Sequence, residues 1–403
     1  MNILAISYFL PPYLYAQSIV IGRLLYYLAK NQHSNIFVVT AQEKSSVFKT
    51  QIYENFFDVF KKIIKVPYYY NRYEDKIKTI ILPLIYSTPD IHKFWNNLAF
   101  NKIKKELKDI KFDLIITFSS PQSTHLLGLK LKEYFNASWI AHLSDPWVEN
   151  PYYNFKFLVK RINEVLEKKV FFSADKLIFT CQETKDLYVK KYPQIKNKFY
   201  VLEHSYEPLF CLNEVKYIKR DYLLLRYLGN FSKIRTPEYF FKGIKLLIEE
   251  EPKTIDILRF EIFGGHRIVN KLIDRYKLNN CVKIIPFVEY KESLTLMQEA
   301  DILVVIDANL KYNPFLPSKL IEYLGAKRPI LGITPEGASA RIIKEAGGWV
   351  IFPEDTQGIK NTLIRIIQLW KEDKLNNYIP PQEVCERYKI ENKTKEFEKI
   401  ILQ

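Results

Sequence analysis

The chain repeats one pattern twice: a short run that is apolar on both faces, then helix-length amphipathic sequence. In the first half the runs are NILAIS (2–7), NIFVVT (35–40), FDLIITF (112–118), SWIAHLS (138–144), KLIFT (176–180) and KFYVLEH (198–204). The series restarts with LLLRYLGN (223–230), LRFEIFGG (258–265), VKIIPF (282–287), DILVVID (301–307), PILGIT (329–334) and GWVIF (348–352). A strand buried on both faces needs helices above and below it, and short apolar strands alternating with helices build a parallel sheet. Two doubly wound α/β units, split near 205–220, follow. We expect a first domain over 1–208, a second over 209–375, and a helical tail over 376–403 returning to the first. Ligands of such sheets bind beyond the carboxyl ends of the strands.

One segment breaks the pattern. Residues 56–105 interleave lysine with Phe, Tyr and Trp, as in FFDVFKKIIKVPYYYNRY and IYSTPDIHKFWNNLAFNKIKKELK. This reads either as an interfacial surface that dips into lipid headgroups or as a helical insertion with a solvated lysine face. Charge bears on the choice. The net formal charge is +15, and residues 1–205 hold 29 Lys and Arg against 18 Asp and Glu, an excess of +11. The rest of the chain has 31 against 27, an excess of only +4. Such asymmetry suits an anionic partner for the first half. Nothing resembles a zinc-finger, helix-turn-helix or RNP signature, so no nucleic-acid partner is expected.

Four cysteines (Cys181, Cys211, Cys281, Cys385) lie far apart, with neither CxxC pairs nor metal-ligand spacing. Reduced thiols and a cytoplasmic location are the expectation. The opening MNILAISYFLPP has no basic lead and is cut by Pro11-Pro12, so it reads as a strand and not a leader. No run reaches the roughly 18–20 apolar residues of a membrane span.

Candidate chemistry clusters in the second half. In NPFLPSKLIEYLGAKRPILGI (313–333), Pro317 and Ser318 open a helix. A cation there, Lys319, opposes the helix dipole. Its presence is eased if an anion binds the free N–H groups. Otherwise it is a surface lysine. LGNFSKIRTP (228–237) follows a strand; Gly229 permits close backbone approach, and Lys233 and Arg235 add two cations. FGGH (263–266) is a further glycine-rich strand end without a dinucleotide or P-loop spacing. Glu322 lies one turn from Lys319, either as a local ion pair or as an acceptor of ribose hydroxyls. In the first half SPQSTH (120–125) and HLSDPW (142–147) follow strands. Asp145 is a turn residue or a carboxylate facing a substrate hydroxyl.

The stretch ADILVVIDANLKYNPFLPSKLIEYLGAKRPILGI, followed by EGASARIIKEAGGWVI, resembles the donor-domain signature of glycosyltransferase family 4. SYFLPPYLYAQSIVIGRLLYYLAK is similar to that family's opening strand, loop and helix. FDLIITFSSPQSTHLLGLKLKEYFNASWIAHLSDPW is similar to a bacterial polysaccharide-type branch. The resemblance implies a GT-B fold, with two Rossmann-like domains facing each other across a cleft. It implies a retaining transfer of sugar from a nucleotide-diphosphate donor to a glycan or lipid-linked glycan in surface polysaccharide assembly. Arg235, Lys319, Ser318, Gly229 and the Leu320 amide would hold the diphosphate, and Glu322 the ribose. The Phe287-Val288 loop would meet the base. Asp145 would face the reacting groups, and Tyr13, Ala16, Gln17, Ser120 and His142 would line the acceptor or phosphate side. No cofactor and no metal are implied. The protein would work in the cytoplasm, on the inner face of the membrane.

Three departures stand out. The first loop reads YLYAQS where the family has a glycine pair. Pro314 stands eight residues before Glu322, where the family has an acid that contacts the donor sugar, leaving Asn313 or Phe315 backbone as substitutes. His142 and Ser144 replace an acid and an arginine. Two other readings remain at this stage: a nucleotide-sugar epimerase on the same fold, and a non-catalytic anion- or nucleic-acid-binding protein.

Overall fold

The computed structural model describes residues 1–13, 15–31, 34–43, 56–68, 72–208, 218–264 and 267–403. Cys211, Gly265 and His266, and with the last two the end of FGGH, lie outside them. The chain forms two compact units, Met1–Glu203 with Lys393–Gln403, and His204–Asn392. Of the stretch expected as a tail, residues 376–392 group with the second unit.

The first unit is built on seven strands: β1 (Asn2–Ser7), β2 (Asn35–Glu43), β3 (Lys62–Tyr68), β4 (Leu114–Phe118), β5 (Ser138–Leu143), β6 (Lys176–Phe179) and β7 (Phe199–Val201). All pair in parallel, in the order β3-β2-β1-β4-β5-β6-β7. The order reverses direction at β1, between β2 and β4, and that is where the strand ends open to a ligand. Burial explains the sequence runs: all five residues of β4, Leu114–Phe118, are buried. Trp95, Trp139 and Trp147 are its largest fully buried side chains.

β3 was missing from the sequence reading because it is an edge strand. Ile64 and Val66 are buried while Lys65 and Pro67 between and beside them are exposed, so its lysines mark a solvent face. The helix Lys93–Leu107 puts Trp95, Ala99, Ile103 and Leu107 into the core. Residues 56–105 are therefore not an insertion. They supply a sheet edge and part of its helical cover, and the helices Arg72–Ile81 and Pro83–Tyr86 expose Ile77, Ile80, Ile81, Leu84 and Ile85. The C-terminal helix Ile390–Leu402 is tied to this unit by Lys176 Nζ donating to Ile400 O (2.6 Å) and by Lys393 paired with Glu203 (3.3 Å).

The second unit has six strands: β8 (Leu223–Gly229), β9 (Leu258–Gly264), β10 (Val282–Ile285), β11 (Ile302–Ile306), β12 (Ile330–Ile333) and β13 (Trp349–Ile351). They are parallel, in the order β10-β9-β8-β11-β12-β13, and the order reverses at β8. Helices Glu238–Glu250 and Thr356–Lys371 pack together where Gly243 meets Ile359; a Cβ at Gly243 would lie 2.3 Å from Ile359 Cγ2. Asp355 caps the second of these helices by accepting from the Gly358 amide (2.8 Å). The two doubly wound sheets are the α/β architecture expected from the sequence.

Candidate active site

In the second unit the reversal point brings together the carboxyl end of β8 and the N-terminus of the helix Ser318–Ala326. Pro317 opens that helix with no side-chain cap and no acid in the first turn. Its first amides therefore lack partners of the usual kind. Leu320 N already donates to Pro317 O (3.0 Å) and its side chain is fully buried, so Leu320 is not one of the available donors. Ser318 and Lys319 remain.

Lys319 is the centre of the site. Its ammonium is buried and, among the described residues, has no hydrogen-bond or ion-pair partner. It stands 3.7 Å from the centroid of the Tyr227 ring. A Cβ at Gly229 would come within 3.0 Å of Nζ, and Gly229 has φ +135°, so glycine is needed there for space and for backbone alike. Burial drives the Lys319 pKa well below the ordinary lysine value, and the Arg235 guanidinium drives it further; Asp307 works in the opposite direction. Arg235 is positioned by its own loop, Nη2 donating to Asn230 O (2.9 Å) and the amide to Ser232 Oγ (3.1 Å). Two cations are thus held near each other at an uncapped helix start.

Glu322 is buried and its Oε1 accepts from Tyr290 OH (2.9 Å). Among the described residues the local ion pair with Lys319 does not form, because Lys319 Nζ has no partner. Tyr290 begins the helix Tyr290–Glu299, which follows the loop of Phe287 and Val288 after β10. That loop therefore leads directly into the Tyr290 that holds Glu322, and Phe287 is half exposed.

The substitute contacts expected around Pro314 are closed. Asn313 N donates to Glu336 O (2.8 Å), Asn313 O accepts from Ala338 N (3.2 Å), and Phe315 N donates to Asn313 Oδ1 (3.0 Å). The Asn313 amide instead joins Thr334 on Asp307: both Asn313 Nδ2 (2.9 Å) and Thr334 Oγ1 (2.8 Å) donate to Asp307 Oδ2.

Sequence reasoning passed over four residues here. Tyr323 OH accepts from Leu228 N (3.0 Å) and so locks the helix to the end of β8. Tyr227 floors the Lys319 ammonium, Tyr290 orients Glu322, and Asp307 favours the charged form of Lys319. The signals were present: Tyr323 is four residues from Lys319 on the same helix face, and Asp307 is an acid at the carboxyl end of a strand.

In the first unit the ends of β1, β4 and β5 gather a smaller set. Gln17, in the first turn of the helix Ala16–Lys30, accepts through Oε1 from Ser120 N (2.7 Å), while its buried Nε2 has no partner among the described residues. Ala16 is exposed and Tyr13 is buried. Asp145 is exposed in the loop after β5. His142 does not line this surface: only 2% exposed, its ring lies 5.3 Å from that of Phe118. It sits near His125, itself held to Thr117 Oγ1 (2.8 Å) and pushed down to about 3 first by burial and then by His142. His142 is a core histidine.

Residues 225–369 match the family model described as glycosyl transferases group 1. The second unit carries a glycosyl transferase domain. The protein is accordingly a glycosyltransferase, and its fold is GT-B. No curated protein matches the chain. Among solved structures, sucrose-phosphate synthase from Thermosynechococcus elongatus superposes with a TM-score of 0.72 at 14% identity, over 100% of this chain and 98% of that one. Anabaena Alr3699/HepE in complex with UDP gives 0.65 at 12% identity, covering 100% of both chains. The lipopolysaccharide outer core galactosyltransferase WaaB, in its apo form, gives 0.64 at 12% identity, over 100% of this chain and 99% of that one. At these identities the likeness is one of fold. Among the described residues no group of His, Cys, Asp and Glu is arranged to hold a metal ion, and no helix is long and apolar enough to cross a membrane.

Proposed function

We propose that this transferase takes a sugar from a nucleoside-diphosphate donor, with retention at the anomeric carbon, and passes it to a glycan or lipid-linked glycan in surface polysaccharide assembly. The observation that carries the reading is the buried, partnerless Lys319 ammonium beside Arg235 at an uncapped helix N-terminus. A diphosphate placed there would receive two cations and the Ser318 and Lys319 amides. Developing charge on the departing diphosphate would be stabilised by groups already in position, with no metal ion required. Glu322, held by Tyr290, would accept from the ribose hydroxyls, and the Phe287-Val288 loop would meet the base. Related folds point the same way: Anabaena Alr3699/HepE forms complexes with UDP and with UDP-glucose. Membership of family 4, in a bacterial polysaccharide branch, agrees with the PSKLIEYL block. Asp145 and Gln17 would face the acceptor side. The charge excess of the first half suits work at an anionic membrane face on the cytoplasmic side. Calorimetric titration with UDP, GDP and their sugar conjugates tests the donor reading. Binding of at least one that is lost in Lys319→Ala supports it, and equal binding by parent and variant removes it.

A further inference from the structure

The helix Phe157–Ser173 turns two polar side chains inward and leaves several apolar ones outward. Beside the buried Val159, Val170 and Phe171, its inward face carries Asn163 and Glu167, both 0% exposed. Its outward face carries Phe157 (70% exposed), Leu158 (59%), Ile162 (39%) and Val165 (67%). The inward polar groups are satisfied: Trp147 Nε1 donates to Asn163 Oδ1 (2.8 Å), and Glu167 accepts from Val148 N, Tyr188 OH, Tyr192 OH and Lys191 Nζ at 2.7–2.9 Å. The helix therefore cannot roll its apolar face inward without stranding a buried carboxylate. The orientation is fixed, and the apolar face is fixed outward.

A second apolar face adjoins it. In the helices Arg72–Ile81 and Pro83–Tyr86, Ile77, Ile80, Ile81 and Ile85 are 46–67% exposed, at helical spacing. Asn163 Nδ2 donates to Ser87 O (2.9 Å), which joins the end of that segment to the middle of Phe157–Ser173. Contiguous exposure of this extent marks an interaction surface. Charge decides the occupant. The outward side of Phe157–Ser173 and the residue before it expose five cations, Lys156, Lys160, Arg161, Lys168 and Lys169. Its one partly exposed acid, Glu164, is paired with Arg161 (3.4 Å). Arg161 lies over the Phe157 ring (5.4 Å) and Lys168 over Phe172 (5.6 Å), so cations stand at the rim of apolar side chains. Long basic side chains beside a Phe, Leu, Ile and Val face are the chemistry of a helix lying in the headgroup layer of an anionic bilayer.

We infer that the first unit docks on an anionic lipid bilayer through the outward faces of Phe157–Ser173 and Arg72–Tyr86. The lysine-rich β3 strand is not the docking element. This deepens the membrane part of the proposed function, and it rests on that reading only for an acceptor that is itself lipid-linked; the donor site is independent of it.

The test is co-sedimentation of the full chain with vesicles of phosphatidylcholine, with and without phosphatidylglycerol. The parent should bind the phosphatidylglycerol vesicles, more weakly in high salt but not to zero. Phe157→Ser with Leu158→Ser and Val165→Ser should weaken binding by roughly tenfold or more at every salt concentration. Lys160→Gln with Arg161→Gln should lower it only at low salt. Each substituted side chain is exposed, so melting temperature and any nucleotide-induced shift in it should stay at parental values. Parental binding by the serine variant overturns the proposal. So does a parental dimer in light scattering that the same substitutions dissociate, since the occupant is then a second copy. Vesicle binding without any nucleotide binding would sink the donor reading and leave docking intact; nucleotide binding without vesicle binding would do the reverse.

Discussion

The two units share a topology and differ in how they hold their candidate functional groups. In the second unit each group has a dedicated support. Tyr323 fixes helix to strand, Tyr227 floors Lys319, Tyr290 holds Glu322, and Arg235 is braced by Asn230 and Ser232. In the first unit Gln17 and Ser120 share one hydrogen bond, and Asp145 stands exposed in a loop. A site for a rigid, highly charged fragment gains from groups fixed beforehand, because less ordering is left to binding. A site for a variable acceptor needs no such rigidity. Under the proposed function, the difference would be a division of labour between a constant ligand and a changing one.

The largest test of that contrast is Lys319→Met. The unliganded protein holds a buried ammonium with no partner, which opposes folding, so methionine of similar length should stabilise it by about 1 kcal/mol. The same change should weaken nucleoside-diphosphate binding by about 1.5–3 kcal/mol, the loss of a charge-assisted hydrogen bond. A higher melting temperature together with lost affinity is the signature of a cation kept for its ligand. Loss of both would assign Lys319 a structural role. The pH dependence has a definite sign. The folded-state pKa of Lys319 lies below its unfolded value, so the unfolded chain binds more protons between the two, and stability should rise with pH through that window. A bound diphosphate raises the pKa again. Binding in the alkaline range should therefore take up a proton, visible as a dependence of the calorimetric enthalpy on the ionisation heat of the buffer.

Glu322→Gln comes next. Glutamine keeps an acceptor for Tyr290 OH, so stability should change little, while affinity for a nucleotide should fall by about 1–2 kcal/mol through loss of the charged acceptor. Equal affinity for ribo- and deoxyribonucleotides in the parent would break the ribose assignment without recourse to any variant.

What the sequence made legible follows from what each signal depends on. Strand burial is a local property, which is why all twelve apolar runs are strands of the two sheets. β3 escaped because an edge strand alternates, and KIIKVPY looks like a basic surface segment until its partner β2 is known. In the second unit the PSKLIEYL block carries chemistry at fixed helical spacing, so Lys319 and Glu322 could be named without a structure. Tyr227, Tyr290 and Asp307 act on them from other elements, and no spacing reports that. Pro314 shows the reverse case. Its neighbours' backbone groups looked available, but those of Asn313 are spent on Glu336 and Ala338, and the Phe315 amide on Asn313 Oδ1. His142 failed likewise: its place near a strand end suggested a ligand, and its burial against Phe118 is a tertiary fact. The outward apolar side chains of Phe157–Ser173 were invisible for the same reason: both faces of that helix mix apolar and polar residues, and only the packing says which are covered.

On the first unit's side of the comparison, Gln17→Ala removes the acceptor of Ser120 N. A partly buried amide left without its partner costs about 1 kcal/mol, which in a unit of this size lowers the melting temperature by roughly 2–4 °C. Donor affinity should be unchanged. If Gln17→Ala instead lowered nucleotide affinity as strongly as Lys319→Met, the division between a constant and a changing ligand would fail.

The smallest effect is expected from the lysines that first suggested a membrane contact. Lys62 pairs with Glu106 (3.1 Å), and Lys65 stands 4.0 Å from the Phe57 ring on the exposed side of β3. Both charges already have local company within the first unit. Lys62→Gln gives up an ion pair with both side chains partly exposed, worth less than about 1 kcal/mol, and Lys65→Gln a contact of similar size. Each lysine lost near a charged leaflet would remove on the order of 1 kcal/mol of attraction, but only within a Debye length of about 8–10 Å. With docking assigned to Phe157–Ser173 and Arg72–Tyr86, the double variant Lys62→Gln/Lys65→Gln should bind phosphatidylglycerol vesicles within about twofold of the parent, well short of the tenfold that 1.4 kcal/mol would bring. A loss as large as that of the helix variants would move the docking surface to the sheet edge, and the basic β3 would become the membrane contact after all.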